Sequence, residues 1–219
     1  MILIDDSLKT LLPQAALGVL RCRADVSESS VEQSAQFDSL IKMLEQRYND
    51  LSLIAQNPKI AATRKAYKIL GKDPLKYRNS AEAMLRRIAK KNGLYRVNNA
   101  VDVNNMISVE SGYSLGSYDL AAVKGQIVWK RTPDGEKYQG IGKDVLNIEH
   151  LPGLYDDEGV FGNPTSDSRR TMINSGQNRR LLYVIYAFDG AGDLSGLLDQ
   201  TEALLVQFAN AREIEKQII

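Results

Sequence analysis

Over residues 17–26 (LGVLRCRADV) apolar and polar side chains alternate, the period of a strand with two different faces, and an early strand is predicted there. From Ser29 the period lengthens. Phe37, Leu40, Ile41 and Leu44 recur at helical spacing, and the pattern fades at Asn57-Pro58, where proline disfavours helix in the residue before it. A second helix is predicted over 60–70, stopped by Gly71 with Pro74 beyond. The stretch NSAEAMLRRIAKKNG carries the fullest set of helix signals. Asn79 or Ser80 can cap it, Glu82 suits the positive end of the helix dipole, and Gly93 offers a left-handed exit. Ala81, Met84, Leu85 and Ile88 share one face of this helix, while Arg86, Arg87, Lys90 and Lys91 cover the other. That basic stripe can face solvent or a phosphate backbone.

Beyond Asn99 a short helix is predicted through Val109, ending at Gly112. Short strands follow: IVWK, then Tyr138 to about Ile141 after the hairpin signal Asp134-Gly135. LLYVIYAF (181–188) is apolar on both faces and predicts a central strand. A final helix begins after Asp193 or Ser195, with Leu197, Leu198, Leu204, Leu205 and Phe208 on the face that packs against the sheet. Helices in the first half and strands in the second predict an α+β fold.

Composition narrows the function classes. The chain has 219 residues and no run near the roughly eighteen unbroken apolar residues of a membrane span. Asp5 and Asp6 stand where a signal peptide is basic, and the lone Cys22 suits a reducing compartment, so a cytoplasmic protein is expected. One cysteine and one histidine (His150) argue against a metal centre, and no cofactor is expected. The net charge of +1 points to no polyanion, but its distribution does. Residues 59–96 hold twelve Lys or Arg against two acids, a local +10, which leaves −9 over the remainder. Such asymmetry suits a nucleic-acid surface or a set of solvated helix faces.

Two polar segments stand out. Asn98, Asn99, Asp102, Asn104 and Asn105 cluster in eight positions. They can recognise an amide, amine or hydroxyl, or can cap a helix and fix a turn. GNPTSDSRRT (162–171) is polar almost throughout, and reads as an Asx or Ser/Thr turn or as the lining of a site. Ser166 and Ser168 lack a histidine partner or a nucleophile elbow. Asp156, Asp157 and Glu158 do not have the spacing of a calcium loop.

Ser80, Leu85, Arg87, Gly93, Asn98, Asn99, Val101, Asp102, Asn105, Glu110, Gly112 and Asp119 follow, in kind and order, a known pattern. It resembles the editing domain of the phenylalanyl-tRNA synthetase beta subunit, called B-three/B-four. Tyr118 stands where that family has Phe, and DDEGVFGNPTSDSRRT is similar to a stretch of its freestanding members. The likeness covers 80–171, and one such domain over 1–219 is expected. The resemblance implies mixed, curved β-sheets packed with helices. It also implies tRNA or aminoacyl-tRNA as partner and hydrolysis of tyrosine wrongly attached to phenylalanine tRNA. The family's site histidine falls on Gly116 and its preceding proline on Ser114. A water-positioning base is thereby missing, which leaves the hydrolase assignment open.

An ester is activated, so orienting water beside a polarised carbonyl can suffice. With the resemblance, Asp102 and Asp167 are the candidate proton acceptors. Asn98, Asn99, Asn105, Thr165, Ser166, Ser168 and Arg169 are the candidate substrate ligands, and Arg86, Arg87, Lys90 and Lys91 the nucleic-acid contacts. The two polar segments are expected to line one cavity. The alternative is a binding module that kept an amino-acid or metabolite pocket without catalysis.

Overall fold

The computed structural model describes residues 2–142 and 145–219. Strands and helices are numbered here in chain order. One antiparallel sheet has the order β10-β2-β9-β3, built from Arg212–Ile218, Ala16–Val26, Gly176–Ala187 and Ser114–Asp119. A second sheet has the order β1-β4-β7-β8, from Ile2–Ile4, Ile127–Arg131, Pro152–Asp156 and Gly159–Gly162, with β1 parallel to β4. A hairpin of β5 (Lys137–Gln139) and β6 (Val145–Asn147) stands apart.

The long β2–β9 pair organises the core. Pleating sends Leu20, Cys22, Ala24, Leu181, Tyr183 and Ile185 to one face, against α6 (Asn99–Ser111) and α7 (Leu194–Ala209). Leu17, Val19, Leu182, Val184 and Tyr186 go to the other face, against Trp129, Leu154 and Phe161 of the second sheet. The 181–188 segment is therefore central, apolar toward both layers as expected. It forms the inner half of β9, with Phe188 just past its end. Helices α2 (Val31–Arg47), α3 (Leu51–Gln56), α4 (Pro58–Leu70) and α5 (Ser80–Ala89) pack around Phe37, Leu44, Ile60, Leu85 and Met106. The fold is α+β.

The differences from the sequence reading have local causes. The helix expected from Ser29 to Asn57 is two helices, because α2 ends at Tyr48 and Asp50 starts α3 by accepting from the Ser52 N–H. Asn57 then caps α4, so Pro58 occupies the first helical turn. Asn79, not Ser80, caps α5. Helix α6 continues two residues past Val109, to Ser111, and stops at the expected Gly112, which is left-handed. The expected strand at 138–141 is β5, one residue earlier and shorter. Strands also open the chain and a helix lies near its end, so the elements interleave more than the two-halves picture allows. The acidic DDEG is the turn joining β7 to β8.

Candidate functional site

Helix α5 is amphipathic, and burying Leu85 and Ile88 turns Arg86, Arg87 and Lys90 outward. These three, with Lys76, Tyr77, Arg78 and Asn92, form one wall of a cleft of about 500 Å³. Asn147, Asn163, Thr165 and Ser166 line it as well. Five cationic side chains enter the cleft, and among the described residues no carboxylate lines it. Behind that wall the fully buried Glu82 receives a bidentate bond from Arg64 (2.8 and 2.5 Å) and one from Arg86 (2.7 Å), while Glu149 accepts from the lining residue Asn147 at 2.8 Å. Arg78 lies 3.8 Å from Glu82. Burial works against the Glu82 charge, but the bonds from Arg64 and Arg86 outweigh it and hold the carboxyl below its usual range. Lys76 and Lys90 form no ion pair among the described residues. Beneath the cleft Lys72 is buried, its Nζ 2.9 Å from Asn147 Oδ1 and 3.8 Å above the Tyr77 ring centroid. Burial lowers its pKa.

The loop after β8 presents Thr165 and Ser166 to this cleft because Asn163 holds it from inside. Asn163 Oδ1 accepts from the Thr165 and Ser166 N–H groups (2.8 and 3.2 Å), and its Nδ2 donates to the Tyr138 hydroxyl (2.7 Å). Tyr138 donates in turn to the Ser166 carbonyl. Thr165 Oγ1 meets the Tyr67 hydroxyl at 2.8 Å. Asp167 turns away, toward the space between the sheets. Its Oδ1 accepts from the Tyr118 hydroxyl at 2.8 Å, and Tyr118 lies 2.6 Å from the Tyr186 hydroxyl. With the Tyr118 proton on Asp167, the second bond requires Tyr186 to donate, giving a relay of hydroxyls that ends on the carboxylate. Asp167 keeps some residue surface in solvent. Its carboxylate is nevertheless packed among these rings, and burial pushes its pKa up to about 7.

The position of the resemblance's missing histidine is occupied. A Cβ at Gly116 would overlap the Tyr118 hydroxyl, and so would one at Gly162. These two glycines form a slot for the Tyr118 ring, which also meets Phe161 edge-on at 5.0 Å. His150 lies elsewhere, with Nε2 2.5 Å from Asp134 and Nδ1 near the Gly71 carbonyl.

The other sequence candidates have different positions. Asn98 caps α6 by accepting from Val101 N–H (2.8 Å) and donates to the Ile173 carbonyl (3.2 Å). Asn99 accepts from Ser27 N–H (3.1 Å) and donates to the carbonyls of Asp25 and Phe208, both at 2.9 Å. Asp102, fully buried, accepts from Ser29 Oγ (2.6 Å) and Val97 N–H (3.1 Å). Asn105 has one long contact, from Asn104 Nδ2 at 3.4 Å. None of these four lines the cleft that Thr165 and Ser166 enter. The expected shared cavity is not formed: Asn98, Asn99 and Asp102 are committed to capping α6 and tying it to β2, α7, Ile173, Ser29 and Val97. Asp102, with both oxygens occupied there, is not placed to take a proton in the cleft.

Ser168 is buried and caps a turn of 3-10 helix (Arg169–Thr171), while Arg169 is exposed outside the cleft. Arg170 is bound by Asp156 and Glu158, which accounts for part of the acidic turn. Lys91 is exposed, adopts a left-handed conformation and stays off the cleft lining. Among the described residues no group of three His, Cys, Asp or Glu side chains is arranged to hold a metal.

Sequence reasoning named Arg86, Arg87, Lys90, Thr165 and Ser166 from this cleft but missed Lys76, Tyr77, Arg78 and Asn163. The first and third belong to the basic run of 59–96, and Asn163 lies in the polar stretch it singled out. The phenols of Tyr67, Tyr118, Tyr138 and Tyr186 were missed too. The signal for them was ten tyrosines against four phenylalanines, several in otherwise apolar positions.

No curated protein matches the chain. Among solved structures, it is similar in fold to an N-terminal fragment of the phenylalanyl-tRNA synthetase beta subunit from Pyrococcus horikoshii, with a TM-score of 0.50 and 12% identity. The match covers all of this chain and 53% of that one, so the chain spans about half the fragment's length. At that identity the likeness is one of fold. No helix among the described residues is long and apolar enough to cross a membrane. The model of the B3/4 domain matches residues 62–191, more than half of the chain and the whole of the cleft, and the protein belongs to that family.

Proposed function

We propose that this B3/4 domain binds tRNA through the α5 cleft and hydrolyses a misplaced aminoacyl ester there. The observation that carries the proposal is the convergence of Lys76, Arg78, Arg86, Arg87 and Lys90 on a cleft that also holds Asn163, Thr165 and Ser166. A cleft with five cations and no lining acid among the described residues attracts phosphates, and neutral hydroxyls and amides beside it suit ribose or an amino-acid group. The name of the structural neighbour, a tRNA synthetase subunit, supports the choice of RNA. Asp167 is the proton acceptor in this reading. Its carboxylate is turned out of the cleft toward Tyr118, so the reading requires the loop to swing it back beside Ser166, which lines the cleft. A pKa of about 7 leaves a large fraction of it ionised at neutral pH. Water attacks the ester carbonyl, one of its protons passes to Asp167, the ester C–O bond breaks, and Asp167 returns that proton to the ribose oxygen.

Deacylation of a panel of misacylated tRNAs tests this directly. The wild type should hydrolyse at least one of them, with a rate that rises as Asp167 ionises near neutral pH. Asp167→Asn should lose on the order of 10²–10⁴-fold. One observation favours a second reading, a binding module without hydrolysis: Asp167 is already capped by Tyr118, whose ring is held in the slot at Gly116 and Gly162. Salt-sensitive tRNA binding with no deacylation of any substrate would select that reading.

A further inference from the structure

We infer that Tyr95 is a platform at the rim of this cleft on which one unpaired base of the bound RNA stacks. This rests on the RNA reading of the same cleft and adds the residue that seats a base.

Tyr95 is 73% exposed, the most exposed aromatic residue among the described ones. The Arg87 guanidinium lies over its ring, 4.5 Å from the centroid. That guanidinium is itself held, with Nε donating to the Gly93 carbonyl and a terminal nitrogen to the Asn92 carbonyl, both at 3.3 Å. Arg87 and Asn92 both line the cleft, so the ring stands at its rim with one face backed by a fixed cation and its surface otherwise open to water.

Leaving so much aromatic surface in water forgoes the burial that stabilises most tyrosines. A contact to phosphate alone gives no reason to hold a ring there, since lysine and arginine serve that purpose. A π-face beside a cationic groove is the combination that binds unpaired nucleic acid: the groove follows the backbone and the ring takes a base. A duplex offers no such base, because its bases are already stacked on one another. Tyr77 cannot take this part as readily, since Lys72 Nζ sits 3.8 Å over its ring and the side chain is half-buried.

The test is the affinity of the full chain for a short single-stranded RNA and for a blunt RNA duplex of equal length. It compares the wild type, Tyr95→Ala, Tyr95→Phe and the double variant Lys76→Glu/Lys90→Glu. The expected result is a loss of roughly 5- to 100-fold for the single strand in Tyr95→Ala, the worth of one stacked base. Tyr95→Phe should bind as the wild type, and duplex binding should not respond to either substitution. Circular dichroism identical to wild type shows that the exposed ring is not needed for folding. Single-strand binding that is lost in the lysine variant but unchanged in Tyr95→Ala overturns the stacking inference and leaves the RNA reading standing. A wild type that binds neither RNA overturns both.

Discussion

In residues 98–105 the amides of Asn98 and Asn99 bond the backbone of β2, the end of α7 and the carbonyl of Ile173, and the Asp102 carboxylate accepts from Ser29 Oγ and Val97 N–H. In residues 163–168 one amide, Asn163, does the same work for its own loop, and the hydroxyls after it are left for the cleft. Both segments are equally polar in sequence. What separates them is how many backbone groups lie unpaired nearby. Helix α6 begins in the core, where its first N–H groups and the ends of β2 and α7 have no water to meet. The loop after β8 lies at the edge of a solvent-filled cleft and needs only one internal anchor. Density of polar residues therefore marks a place where hydrogen bonds are in demand, and the demand comes from the fold in one case and is open to a ligand in the other.

The largest expected effect is in the first region. Asn99→Ala removes a buried amide and with it the partners of Ser27 N–H and of the Asp25 and Phe208 carbonyls, three bonds that are partly buried. Orphaned groups cost about 1–3 kcal/mol each, and with these three toward the lower end of that range the loss should be about 4 kcal/mol. In a chain of this size that lowers the melting temperature by roughly 10 °C, readable by circular dichroism. A change below about 1 kcal/mol would return Asn99 to the list of ligand candidates.

Asp167 gives a smaller effect with a distinctive pH dependence. Its folded pKa of about 7 lies above the ordinary 3.8. The folded protein thus keeps a proton that the unfolded chain releases between those values, and stability falls as pH rises across that window. The penalty is absent below about pH 4 and complete above about pH 7. Asp167→Asn, which still offers Tyr118 an acceptor, should match the wild type near pH 4 and exceed it by roughly 3 kcal/mol near pH 8. Denaturant unfolding at the two pH values measures this. An equal difference at both would mean that the carboxylate is not held protonated by its surroundings.

The outline of the fold was legible because its main elements carry strong periods: the two-sided apolar run of β9, the amphipathic α5 and the stripe on α7. The basic stripe was legible for the same reason, since once Leu85 and Ile88 are buried the opposite face has no choice. The short strands β1, β7 and β8 were not legible, because three to five residues give too few repeats to fix a period. Capping by Asn98 was one of the two readings that the cluster offered. The long-range partners of Asn98, Asn99 and Asp102 were not legible: Ile173, Phe208, Ser27 and Ser29 lie 70 to 110 positions away, and only the folded chain brings them together. Tyr118 was hidden in another way. A tyrosine in a strand reads as core, and the two glycines that open a slot for it belong to different sheets.

That slot supplies the next prediction. Gly116→Ala places a methyl group on the Tyr118 hydroxyl, and overpacking of this kind costs about 2 kcal/mol. In a Tyr118→Ala background the same substitution should cost almost nothing, so a double-mutant cycle should show coupling of about the full 2 kcal/mol. A histidine at position 116 meets the same obstacle, and can be seated only if the Tyr118 ring leaves. Gly116→His alone should therefore destabilise the protein rather than create a base.

The smallest stability effect is expected at Ser166, and it sharpens the contrast most. The Ser166 N–H is bound by Asn163 and its carbonyl by Tyr138, but its hydroxyl has no hydrogen-bond partner among the described residues while the side chain lines the cleft. Removing an unpaired, solvent-facing hydroxyl leaves stability within about 0.5 kcal/mol. If the hydroxyl binds substrate, Ser166→Ala should still lower kcat/KM for deacylation, or affinity for tRNA, by roughly 5- to 10-fold, the value of one neutral hydrogen bond. Asn163→Ala, by comparison, should lose stability and function together, because it frees the loop that presents Ser166. A Ser166→Ala protein equal to the wild type in both measurements would make 163–168 a structural turn like its counterpart, and the distinction between the two segments would disappear.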